Sequence, residues 1–327
     1  MAVFFINNHT MMKHLYFLIT LLGLQAFGQT TEIVTLSKED PHDLYRSWDN
    51  DSTTLFYKLY IPKSKPSAAL VILPGAGEPI SDVEQQTTLH NLAIDKGFLV
   101  IFPSINWGTT KHIHEHQMLN QIFAQVIKRF NIPKDKFILG GFSGGAMLSL
   151  TYAEKANRGK GSTVVIPKAV FGIDPPLDYA HLWNHCIRDI ERNFSDVAVA
   201  EGKWITEMYI EEFSGPPSEF PQNYIKYSIY SQSEKDGGNA KYLLNTPVLL
   251  YTEPDVLWSM KNRHRDFYDL NAMDISAMIN LLQLGGNKNA ELIITHDKGY
   301  RLNGQRHPHS WSIMDNQQCF DWIMKQL

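Results

Sequence analysis

The segment Gly141-Phe142-Ser143-Gly144-Gly145 combines residue types and spacing that specify a reaction. A serine hydroxyl attacks a carbonyl only when a base takes its proton and both groups are held within reach. Gly-x-Ser-x-Gly supplies that geometry when it joins a strand to a helix. The serine then takes a strained backbone conformation, and the flanking glycines let strand and helix close around it. Five residues can match by chance, so the context matters. Lys136-Phe137-Ile138-Leu139-Gly140 reads as a strand, and Gly144 to about Ala156 reads as a helix.

The surrounding elements follow a regular order. Stretches near Thr31 to Ser37 and Thr53 to Ile61 are β-like, and the second alternates so that Leu55, Tyr57, Leu59 and Ile61 share a face. Ala69 to Leu73 and Phe98 to Phe102 are continuous apolar runs stopped by prolines, as buried strands are. Leu119, Ile122, Phe123, Val126, Ile127 and Phe130 form one helical face, with Pro133 just beyond its end. Further strands are expected at Lys168 to Ile173, Pro247 to Thr252 and Glu291 to Thr295. Helices are expected near Asp266 to Leu284 and Ser310 to Gln326. Apolar strands alternating with amphipathic helices predict an α/β fold with a mostly parallel sheet covered on both faces. Leu177 to Asn245 is longer than a crossover needs and rich in aromatic residues. It reads as a helical cap inserted over the sheet, about 177–245.

With the serine turn between strand and helix, the chain resembles an α/β-hydrolase over essentially its whole mature length. The resemblance implies an acid after a later strand and a histidine before the final helix. Pro247 to Asp255 is similar to the family's strand and turn carrying the acid, which points to Asp255. Glu253 is a nearby rival, and Asp174 a more distant one after an earlier strand. His309, in Arg306-His307-Pro308-His309-Ser310-Trp311, matches the family's base, with His307 and His296 as alternatives. The oxyanion hole would use the N–H of Gly144 and one from Leu73-Pro74-Gly75-Ala76-Gly77, either Gly75 or Ala76. Ser143 argues against a haloalkane-type enzyme, which would carry Asp there, and a dienelactone-type enzyme, which would carry Cys.

Two other constellations are set aside. His112-Ile113-His114-Glu115-His116 has two histidines at i and i+4, but its Glu is not placed as in His-Glu-x-x-His, so no metal is expected. These residues open an amphipathic helix, where polar groups should face solvent. Asn262-Arg263-His264-Arg265-Asp266 could hold a substrate carboxylate, but it fits better a charged loop that opens a helix, with Asp266 near the N-terminus. No cofactor is expected.

The formal net charge is −4, without the concentrated basic surface that a nucleic-acid partner requires. Lys13 and His14 precede a short apolar run from Leu15 to Leu24, followed by small residues at Ala26 and Gly28. This predicts a signal peptide over residues 1–28, cut before Gln29, rather than a membrane anchor. No Cys follows for lipid attachment, and no later segment is apolar enough to span a bilayer. The expectation is therefore a secreted or periplasmic serine hydrolase, residues 29–327, without a stable membrane span. Esters are favoured over peptides, with a small-molecule or peptide substrate under the cap. A hydrolase-like module that binds without catalysing is the alternative of another class. Cys186 and Cys319 could pair after export or remain buried thiols.

Overall fold

The computed structural model describes residues 29–47, 53–159 and 161–327. The signal-peptide expectation, residues 1–28, lies outside the described residues.

Eight strands form one sheet: β1 (Thr30–Ser37), β2 (Leu55–Ile61), β3 (Ala68–Leu73), β4 (Phe98–Pro103), β5 (Phe137–Phe142), β6 (Ala169–Ile173), β7 (Val248–Thr252) and β8 (Ala290–Ile294). Their spatial order is β1-β2-β4-β3-β5-β6-β7-β8. The β1–β2 and β2–β4 pairs are antiparallel, and every pair from β4 through β3 to β8 is parallel. The parallel strands β3 to β7 are buried along their length because both faces are covered, while β8 at the edge carries Glu291 and is partly exposed; successive side chains serve opposite cores. Leu70 and Ile72 of β3 point into the core under α1 (Ile80–Gln86), α2 (Leu89–Asp95) and α10 (Asn316–Gln326). Ala69, Val71 and Leu73 point the other way, toward α3 (Ile113–Phe130) and α4 (Gly144–Arg158). On β2, Leu55, Tyr57, Leu59 and Ile61 are the buried set, as their alternation predicts.

Between β6 and β7 the chain forms α5 (Tyr179–Arg192), α6 (Asp196–Phe213), α7 (Pro221–Tyr227) and a 3-10 turn at Gly238–Leu243. Tyr179, Tyr209, Phe213 and Tyr224 pack their rings together within this insertion. Ion pairs tie it to the segment after β7: Arg265 with Asp189, and Arg188 and Arg192 with Asp269. The helix expected from Asp266 to Leu284 is broken. A 3-10 turn at Phe267–Asp269 and α9 (Ala272–Leu284) take its place, preceded by a short helix α8 (Val256–Arg263), and ion pairs of Arg265 and Asp269 anchor the segment between α8 and α9. The last helix starts later than expected, at Asn316, where Asp315 accepts the N–H of Gln318 as a cap.

Cys186 and Cys319 are both free and buried. They lie in different cores, Cys319 with α10 on one face of the sheet and Cys186 with α5 on the other, so the paired alternative is not realised. No helix among the described residues is long and apolar enough to cross a membrane.

Candidate active site

Ser143 follows β5 directly and caps α4, with φ 52° and ψ −116°. Such a conformation costs on the order of 1–3 kcal/mol and persists only when its surroundings enforce it. Here the Ser143 N–H donates to Ile173 O at 2.9 Å, while its carbonyl accepts from Met147 N at 3.0 Å. The two glycines are sterically required. A Cβ on Gly141 would collide with the Leu73 carbonyl, and one on Gly145 with the carbonyls of Leu73 and Pro74. The serine turn is thus pressed against the end of β3, where the candidate oxyanion loop begins.

His309 Nε2 lies 3.1 Å from Ser143 Oγ. Its Nδ1 lies 2.7 Å from Asp174 Oδ2. A carboxylate is only an acceptor, so Nδ1 carries the proton and Nε2 is left free to take one from the serine. The Phe142 ring lies against the imidazole, with centroids 4.5 Å apart, and limits its rotation.

The carboxylate at His309 is therefore Asp174, not the expected Asp255. Asp174 directly follows β6 in a left-handed conformation, φ 48°, with its N–H donating to Tyr251 O at 2.8 Å. Its Oδ1 accepts Thr252 Oγ1 at 2.6 Å, which aims Oδ2 at the histidine. Asp255 is committed elsewhere. One oxygen caps α8 by accepting Trp258 N at 2.9 Å, and the other pairs with Arg306 at 2.7 Å. No hydrogen bond or ion pair joins it to His309. Glu253 accepts Thr295 Oγ1 and Lys298 N at 2.9 Å each, Gly299 N at 3.1 Å, and pairs with Arg306 at 2.5 Å. Both carboxylates brace the loop that leads to His309.

His307 does not face Ser143. Its Nδ1 donates to the His309 carbonyl at 2.9 Å, and burial beside Arg301, His309 and Arg263 pulls its pKa down to about 3. His307 is neutral at neutral pH, and its N–H holds the backbone of His309.

The candidate oxyanion donors separate clearly. The Gly75 N–H is occupied by Glu78 Oε2 at 3.0 Å. Ala76 lines the same cavity as Ser143 and Gly144, and a Cβ on Gly144 would stand 3.7 Å from Ala76 N. Gly144 opens α4, so its N–H has no partner within the helix. Gly144 and Ala76 are thus spatially adjacent residues beside Ser143. Glu78, which sequence reasoning missed, also accepts the Trp311 indole N–H at 2.9 Å and bonds to Gln86. It connects the oxyanion loop to the segment carrying His309, and burial raises its pKa. The signal available was an acidic residue inside an otherwise apolar glycine turn.

A cavity of about 310 Å³ opens over Ser143, Asp174 and His309. Its far wall comes from the insertion through Leu182, Trp204, Ile205 and Met208, and from Trp107 after β4. Trp107 and Trp204 pack with centroids 5.1 Å apart.

The His112–His116 segment departs from the expectation that it faces solvent. His112, Glu115 and His116 are buried, continuing toward the N-terminus the i, i+3, i+4, i+7 face that holds Leu119. His116 Nε2 meets Thr151 Oγ1 at 3.1 Å, and Glu115 Oε1 accepts Thr109 N at 2.5 Å. No group of three or more His, Cys, Asp or Glu side chains among the described residues is placed to hold a metal. Burial holds the His112 pKa near 4 and pushes Glu115 up to about 7. Because that carboxyl's folded pKa lies above its ordinary value, its contribution to stability is complete below about pH 4.5. It is lost as pH rises through about 7. Glu115→Gln keeps the acceptor for Thr109 and removes the ionisation. Its stability relative to wild type should rise from about pH 5 to about pH 8 by up to about 3 kcal/mol in urea unfolding. A difference that does not change with pH would contradict this.

Comparisons with solved structures agree with this topology. The Pyrococcus horikoshii acylaminoacyl peptidase aligns with TM-score 0.55 and 14% identity, over 93% of this chain and 42% of that one. This chain therefore spans less than half the length of that peptidase. An S-formylglutathione hydrolase from Agrobacterium tumefaciens aligns with TM-score 0.55 and 12% identity, over 92% and 97% of the two chains. A lipase in its open form aligns with TM-score 0.52 and 12% identity, over 91% and 99%. No protein-family model and no curated protein matches the sequence. The sheet order and these likenesses together define the chain's fold class: it has the α/β-hydrolase fold.

Proposed function

We propose that the protein is an exported serine hydrolase that cleaves carboxylic esters through an acyl-serine intermediate. The observation that carries this reading is the unbroken hydrogen-bonded series Ser143–His309–Asp174 at the floor of an open cavity. Ser143 Oγ attacks the acyl carbon as His309 Nε2 takes the hydroxyl proton. The carbonyl oxygen becomes an oxyanion, which the N–H groups of Gly144 and Ala76 receive. Collapse expels the leaving group with the proton from His309. Water then repeats the sequence: His309 takes its proton, the hydroxide adds to the acyl carbon, and the acid departs with Ser143 restored. Asp174 stabilises the imidazolium and fixes its tautomer. In this reading the acid role falls to Asp174 rather than Asp255, and the second oxyanion donor is Ala76 rather than Gly75.

The insertion acts as the cap, with the substrate, small molecule or peptide, between α6 and Ser143. Export is supported by the basic, apolar and small-residue order of Lys13 to Gly28. A purely binding role fits poorly, because a binding module has no use for a strained serine held 3.1 Å from an imidazole. The substrate class is tested by comparing p-nitrophenyl esters of graded acyl length with aminoacyl-p-nitroanilides. Ester turnover should exceed anilide turnover by several orders of magnitude in kcat/KM. Anilide turnover with negligible ester turnover would make the protein a peptidase or amidase.

A further inference from the structure

Three arginines line the cavity on the side of His309: Arg263 at the end of α8, Arg265 just after it, and Arg301 in the loop before His307. Their bonding is unequal. Arg265 is saturated by the Asp189 carboxylate at 2.5 and 2.9 Å, and by Glu201 at 3.2 Å. Arg263 has only the shared Glu201 oxygen at 3.4 Å and His307 Nε2 at 3.4 Å. Arg301 has less. Its one close polar neighbour is His307 Nδ1 at 3.4 Å. That nitrogen already donates to the His309 carbonyl, so it offers the guanidinium a hydrogen rather than a lone pair. Among the described residues no carboxylate lies within salt-bridge distance of Arg301, and its guanidinium meets no acceptor. Yet it is half-buried, and desolvation lowers its pKa against the opposing pull of the Glu78 and Glu201 carboxylates, neither of which reaches it as a bonded partner.

A guanidinium taken partly out of water without an acceptor is costly, and proteins keep one where a ligand completes it. The planar fork of an arginine matches a carboxylate. Trp258 packs edge-on against His307, with centroids 4.9 Å apart, and lines the same cavity as Arg263 and Arg301.

We propose that Arg301, with Arg263, binds a carboxylate borne by the substrate, so that the protein selects esters carrying a negative charge beside the scissile bond. This rests on the reading that the cavity over Ser143 receives the substrate. The carboxylate belongs to either the acyl part or the leaving group. Both place the same chemistry against Arg301, and two ligand pairs separate them. Glutaranilate and its primary amide probe the acyl side; 4-butyramidobenzoate and 4-butyramidobenzamide probe the leaving-group side.

Binding of each to Ser143→Ala protein is measured by calorimetry, which needs no turnover and so fails independently of the hydrolase assignment. In one pair the anion should bind at least about tenfold tighter than its amide. Adding Arg301→Gln should remove that preference, and Arg301→Lys should restore part of it. Added salt should weaken the anion alone. Equal affinities in both pairs, no binding of any probe, or a preference that survives Arg301→Gln would overturn the proposal.

Discussion

Asp174→Asn is expected to lower kcat/KM on an activated ester by about 10⁴-fold, and Asp255→Asn by less than about tenfold. The asparagine keeps the size of the side chain and its bond to Thr252. It presents either an N–H to His309 Nδ1, which reverses the tautomer, or a neutral oxygen that cannot stabilise the imidazolium. Asp255 is three residues beyond β7 and caps α8 while pairing with Arg306. Its loss should appear in thermal unfolding, at about 1 kcal/mol for a cap, more than in turnover. If the two variants exchange these behaviours in ester kinetics, the acid is Asp255 and the geometry at His309 is not the working one.

His309→Ala should be more damaging still, removing about 10⁴- to 10⁶-fold of kcat because base and acid are the same group. His307→Ala provides the contrast. Its ring holds the His309 carbonyl and separates Arg263 from Arg301, so it should shift KM and stability while retaining measurable turnover. Near-normal rates in His309→Ala, with loss in His307→Ala, would move the base by two residues.

The difference between these residues also explains what the sequence could reveal. Ser143 is legible because its requirements are local: the glycines at 141 and 145 are forced by the carbonyls of Leu73 and Pro74, and a strand and a helix flank them directly. His309 is nearly as legible, since it stands in a short segment before the last helix. The sheet is readable for the same reason, because strands covered on both faces are apolar along their length.

The acid is different. β6 and β7 are adjacent and parallel, so Asp174 and Asp255 both stand at carboxyl ends on the same edge of the sheet. Which one meets His309 is decided by the left-handed turn at Asp174, the Thr252 hydroxyl and the demand of Arg306. Those contacts join residues 51 to 135 positions apart, and Asp-Pro-Pro after a strand looks like an ordinary turn. The buried face of α3 was hidden by composition: histidine and glutamate at 112, 115 and 116 read as solvent-facing, although their spacing continues the apolar stripe.

Ser143 is bonded through His309 to Asp174, Ala76 stands beside Gly144, and an arginine-lined cavity lies above them. The most direct test is to treat the folded protein with a fluorophosphonate probe and locate the adduct by peptide mass spectrometry. A single phosphonylated serine, Ser143, is expected, with labelling absent in Ser143→Ala and strongly slowed in His309→Ala. No adduct on the folded wild type, or undiminished labelling of Ser143→Ala, would contradict this assignment.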